Sequence, residues 1–104
     1  MGGKQARQVM PSRIKVGAMV YDVVAANGLP DMGLCDEENA TIAIRAGLPD
    51  DVERITVLHE AVHAMLYALG YRKHNERVVD GLAYQMVAVL RDNPDFTRYL
   101  VAGD

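Results

Sequence analysis

The chain has 104 residues, of which 50% are hydrophobic and 24% charged, and its formal net charge is −3. That is the size of one domain. The slight acidic excess argues against a nucleic-acid binder that relies on phosphate contacts. No apolar run reaches the roughly 20 residues that a bilayer-spanning helix needs, so no membrane association is expected.

The first residues, Met1-Gly2-Gly3-Lys4-Gln5-Ala6-Arg7, have no apolar core after their charges, so no secretory signal is expected. Ala6 stands where a myristoylation signal wants Ser or Thr. Cys35 is the single cysteine and cannot form an internal disulfide, which fits a reducing cytoplasm. Residues 1–12 close on Pro11-Ser12 and read as a flexible arm, followed by a single domain over residues 13–104.

From Arg13 to Val24 the apolar residues Ile14, Val16, Ala18 and Val20 alternate with Lys15, Gly17, Met19 and Tyr21. Period two with β-branched members predicts one strand with one buried face. Asn27-Gly28-Leu29-Pro30-Asp31 breaks the chain. Two short strands follow, Met32–Cys35 and Thr41–Arg45, joined by the polar loop Asp36-Glu37-Glu38-Asn39.

Beyond Gly47-Leu48-Pro49 the period changes. Ile55, Leu58, Val62, Met65 and Leu69 recur at spacings of three and four, the stripe of an amphipathic helix. Asp50 and Asp51 supply its N-cap and first-turn negative charge, and Gly70 its stop. A second helix is predicted from Asn75 to Arg91, with Val79, Leu82, Ala83, Met86 and Leu90 facing inward. Asn93-Pro94 ends it and opens a third helix, Pro94–Val101.

The chemistry concentrates in residues 58–64, Leu-His-Glu-Ala-Val-His-Ala. His59 and His63 are four apart, so on a helix they project from the same side on consecutive turns. Two imidazoles so placed can meet one zinc ion at about 2.0–2.1 Å each. At about 100° per residue Glu60 lies one step round the helix from His59, so its carboxylate flanks the metal and can take a proton from an attacking water. A catalytic zinc site has a third protein ligand and one open position. The candidates are Glu76, Asp80 and His74. The metzincin pattern would place Gly three and His six residues beyond the second His; Leu66 and Leu69 stand there, which excludes that class. Tyr67, Tyr71 and His74 are candidate hydrogen-bond donors to an oxyanion. Cys35 follows no ligand spacing and reads as buried and inert.

Asn75-Glu76-Arg77-Val78-Val79-Asp80 resembles the Asn-Glu-x-x-x-Asp element of thermolysin-like zinc peptidases. That likeness implies that Glu76 completes the zinc ligands and that Asp80 holds the far ring nitrogen of the first histidine. Only twelve residues separate His63 from Glu76, fewer than thermolysin-like enzymes use.

Together, Thr56-Val57-Leu58-His59-Glu60-Ala61-Val62-His63-Ala64, the helix opening on Glu76, and Leu90-Arg91-Asp92-Asn93-Pro94 are similar to small phage- and prophage-encoded zinc peptidases related to the ImmA/IrrE group. The resemblance spans roughly residues 13–100. It implies an α+β, minimal zincin-like (gluzincin-like) fold, with a small antiparallel sheet packed on the His-Glu-x-x-His helix and an antiparallel second helix. It also implies a hydrolase with one Zn²⁺ per chain, a peptide or protein substrate and a place in the cytoplasm of a bacterial host. The expected substrate track is the Thr41–Arg45 strand, taken as the sheet edge nearest the cleft. The alternative is a zinc-stabilised interaction module without significant turnover, since a core this thin can need a metal to fold.

Overall fold

The computed structural model describes residues 8–103. Four strands precede three helices: β1 (Arg13–Val16), β2 (Met19–Ala26), β3 (Gly33–Asp36), β4 (Thr41–Arg45), α1 (Asp50–Ala68), α2 (Glu76–Asp92) and α3 (Pro94–Val101). Of the arm expected over residues 1–12, residues 1–7 lie outside the described residues. At its far end Met10 packs against the core and the carbonyl of Ser12 accepts a hydrogen bond from the Val23 amide at 2.9 Å.

The single strand expected over 13–24 is two. Gly17, at φ +60°, and Ala18 turn the chain in a two-residue hairpin, and Arg13–Val16 pairs antiparallel with Met19–Asp22. A glycine at the first central position suits the turn type whose twist matches the flanking strands. The turn also reverses which residues face inward. Val16, Tyr21 and Val23 are buried, whereas Val20, expected inside, is 50% exposed. The period-two pattern runs on across the turn because Ala18 is apolar and keeps the phase of Ile14, Val16 and Val20.

The hairpin across Asp36–Asn39 forms as expected. The Asp36 carboxylate accepts hydrogen bonds from the Asn39 backbone amide at 3.1 Å and its side-chain amide at 2.8 Å. These bonds to Asn39 hold the Asp36 carboxyl below its usual range.

The sheet order is β1-β2-β4-β3, and the sheet is mixed where an antiparallel one was expected. Successive strands reverse direction, so inserting β4 between β2 and β3 makes β4 parallel to β2, with Val23 beside Ile42 and Ala25 beside Ile44. β4 is therefore interior, and the edge strand beside α1 and the cleft is β3. The Arg45 guanidinium holds the preceding loop in place by donating to the carbonyls of Leu29 at 3.2 Å and Pro30 at 2.9 Å.

α1 packs on β1, β3 and β4 on one side and on α2 on the other; among the described residues α2 touches α1 and α3 but not the sheet. Tyr21, Val23, Ile42, Ile44, Val16 and Ala64 form the core between sheet and helix. This double cover overturns the one-sided stripe expected for α1. Glu60, Ala61, Val62, His63 and Ala64 are all buried, while Leu69 is 72% exposed. Five consecutive buried residues on a helix require neighbours on more than one side.

The helix ends follow local chemistry. Pro49, not an aspartate, occupies the N-cap of α1, with Asp50, Asp51 and Glu53 in the first turn, where their charge favours the helix dipole. Gly70, at φ +93°, ends α1: its amide donates to the Tyr67 carbonyl and the Tyr71 amide to the Leu66 carbonyl, the Schellman pattern. Asn75 caps α2 by accepting from the Val78 amide at 3.1 Å. Among the described residues, no helix is long and apolar enough to cross a membrane.

Candidate metal centre

The tight turn over residues 69–75 folds α2 back along α1 and brings the first turn of α2 against His59 and His63. Glu76 spans both histidines. Its Oε2 lies 3.2 Å from His59 Nε2 and its Oε1 2.8 Å from His63 Nε2. One ligand atom from each of His59, His63 and Glu76 falls within 4.8 Å of the others, close enough to hold a metal ion. The same nitrogen of both rings faces the carboxylate, and the donor set of two imidazoles and one carboxylate is that of a catalytic zinc.

The other two candidates for the third ligand lie behind the rings. Asp80 Oδ1 is 3.5 Å from His59 Nδ1, on the far side from Glu76. His74 Nδ1 is 2.6 Å from His63 Nδ1. Asp80 stands one turn beyond Glu76 on α2, which is why the two carboxylates reach opposite nitrogens of one imidazole.

An open groove of about 770 Å³ runs past these residues. Its walls are α1 through Thr56, His59, Glu60, His63 and Tyr67, the strand β3 with the loop before it, and α2 through Glu76, Asp80 and Tyr84. Glu60 is 6% exposed although it lines the groove. Burial pushes its carboxyl up to about 7, against the opposing pull of His59 and with further upward push from Glu76 and Asp31. Burial likewise pushes the His63 imidazole down from its usual range, opposed by Glu76. A neutral imidazole is the form that can offer a lone pair to a metal.

The close approach of Glu60 to β3 depends on Gly33. A Cβ at that position would sit 2.8 Å from Thr56 Cγ2 and 2.9 Å from Glu60 Oε2. The glycine is required by this contact rather than by its backbone angles. Nothing local in the sequence marks a glycine that opposes a helix, so its role was not foreseen.

Tyr84 was also not foreseen, although a signal for it existed: Glu76, Asp80 and Tyr84 are four apart in succession and share one stripe of α2. Tyr67 lines the groove, with its ring 4.4 Å from that of His74. Tyr71 and His74, the other two candidate oxyanion donors, are not among the residues that line the groove. The Tyr71 side chain is 58% exposed and does not line the groove, and His74 is engaged behind His63. Cys35 is half-buried at the groove rather than deep in the core, and burial pushes its thiol up to about 11, with added push from Glu60, Glu37 and Asp36. Compared with known proteins, the chain matches no family model, no curated protein and no solved structure.

Proposed function

We propose that the chain is a zinc-dependent metallopeptidase with a minimal zincin-like fold. The observation that carries this reading is the contact of the two Nε2 atoms with different oxygens of one carboxylate, with the buried Glu60 beside them. His59, His63 and Glu76 would hold the ion. Zn²⁺ in such a site polarises a scissile carbonyl and lowers the pKa of a coordinated water to roughly 7.

The remaining work falls to side chains of this chain. Glu60 accepts the proton of the attacking water and delivers it to the leaving amide nitrogen. A carboxyl whose ordinary range has been lifted toward neutrality suits both halves of that transfer. Tyr67 and Tyr84, on the groove walls, can donate to the developing oxyanion.

β3, not β4, is the strand available to an extended peptide. The Arg45 amide donates to the Met32 carbonyl at 2.7 Å, and Gly33 stands opposite Ile44. By the alternation of an antiparallel ladder, Gly33 and Cys35 then point their backbone groups away from β4, toward the free edge. A peptide pairing there runs past Glu60, giving main-chain affinity with little side-chain selectivity.

The test is Glu60→Gln in zinc-loaded protein, assayed on an unstructured fluorogenic protein such as labelled casein. Wild type is expected to cleave it, and the variant to keep one zinc per chain while losing at least about a hundredfold in rate, the usual span of a general base. Activity retained in the variant, or zinc lost with the carboxyl, overturns the assignment.

A second reading, a zinc-stabilised interaction module, draws on the thin attachment of α2, which buries only Val79 and Ala83. Loaded protein that melts much higher than chelated protein, yet cleaves nothing, would favour it.

A further inference from the structure

We propose that His74 is a positioning residue that holds His63 in its metal-binding tautomer by accepting the Nδ1 proton of His63. The inference rests on the metal-site reading above and concerns a residue that takes no part in the ligand set.

The argument starts at a backbone oxygen. His74 Nε2 lies 2.9 Å from the carbonyl oxygen of Tyr71. A carbonyl can only accept, so Nε2 of His74 carries the hydrogen, and in a neutral imidazole that leaves Nδ1 as a bare acceptor. His63 Nδ1, 2.6 Å from it, must then donate. The remaining nitrogen of His63, Nε2, is left with its lone pair exposed, and that is the atom facing Glu76 Oε1 at 2.8 Å. A lone pair against a carboxylate oxygen is repulsive until a cation stands between them. The Tyr71 carbonyl thereby dictates, through two rings, which nitrogen of His63 is offered to the metal.

The ring geometry agrees. The centroids of His63 and His74 are 4.9 Å apart with 19° between their planes. That separation suits two nearly coplanar imidazoles joined edge to edge through nitrogens 2.6 Å apart, in line with the lone pair.

The segment that carries His74 is well anchored. It lies between the Schellman turn at Gly70 and the Asn75 cap of α2, with the Tyr67 ring against it. The Arg72 guanidinium ties the segment to Glu37 in the hairpin at 2.6 Å. His59 has an acid, Asp80, near its far nitrogen, whereas His63 has an imidazole. Partners of ligand histidines commonly tune metal affinity by ten- to a hundredfold.

The test uses zinc-loaded, ¹⁵N-labelled protein and two variants. Long-range ¹H–¹⁵N spectra are expected to show His63 protonated on Nδ1, His74 protonated on Nε2, and a scalar coupling across the hydrogen bond between the two Nδ1 atoms. In a competition with a chromophoric chelator, His74→Phe, which keeps a ring but has no acceptor, should bind zinc roughly 10- to 100-fold more weakly. His74→Asn, whose Oδ1 can take the place of Nδ1, should recover most of that loss. A His74 proton on Nδ1, absence of the coupling, or wild-type zinc affinity in His74→Phe overturns the proposal. Should His74→Phe fail to fold, the tautomers and coupling of the wild type decide alone. Zinc seen on the His59 and His63 nitrogens without the coupling refutes the His74 role only. Zinc absent from those nitrogens refutes the metal-site reading itself and this role with it.

Discussion

Glu60 offers a test of the site's electrostatics that requires no substrate. Its carboxyl is lifted from 4.5 to about 7 by burial in the folded chain. A tenfold change in a proton's binding constant is worth about 1.36 kcal/mol, so ionising Glu60 costs the metal-free fold up to about 3 kcal/mol. Below pH 4.5 the group is protonated in both folded and unfolded chains and the cost is nil. As pH rises from there through about 7 the unfolded chain ionises first, and the folded state loses that stability progressively.

Glu60→Gln keeps the volume and removes the titration. In chelated protein, the variant should therefore match wild type near pH 4.5 and exceed it by up to about 3 kcal/mol at pH 8. Urea unfolding at a series of pH values reads the gap, and because all other groups are shared, the difference isolates Glu60. Added zinc should shrink the gap, since a cation beside the carboxylate offsets its desolvation. A gap that does not change with pH, or wild type more stable at pH 8, would refute the reasoning.

Three further outcomes follow from the same geometry. Zinc at a hundred times its dissociation constant should raise unfolding free energy by about 2.7 kcal/mol, and Glu76→Gln should abolish most of that gain, read by thermal melting with and without chelator. Gly33→Ala puts a methyl against Thr56 Cγ2 and Glu60 Oε2; the expected cost is about 1–3 kcal/mol in stability. The rate loss should exceed any loss of zinc, measured by urea titration, cleavage assay and metal analysis. Cys35, with its thiol pushed up to about 11, should react slowly with iodoacetamide at neutral pH and faster through pH 9–10. Mass spectrometry of timed samples reads the rate, and fast alkylation at pH 7 would contradict the burial of that thiol.

Several features of this protein were legible because they are local. The four-residue spacing of His59 and His63 places both rings on one side of any helix, and Gly70, Asn75 and the Asp36–Asn39 loop form the turns their chemistry favours. Glu76 could be named as a third donor only through a likeness to thermolysin-like zinc peptidases; spacing alone left Asp80 and His74 open as well. The sheet misled for a related reason. Gly17-Ala18 sits inside an unbroken apolar alternation, and nothing near Thr41 announces that β4 inserts between β2 and β3.

What the amino-acid order determined by itself was the pair of imidazoles with the adjacent acid, along with the helices that carry them, since backbone periodicity and capping act over a few residues. The tertiary structure alone decided that Glu76 faces Nε2 of both histidines, that Asp80 and His74 stand at their far nitrogens, and that Gly33 lets Glu60 be buried against β3. Those relations join residues separated by eleven to twenty-seven positions. They depend on how helices and strands stack, which short-range propensities do not specify.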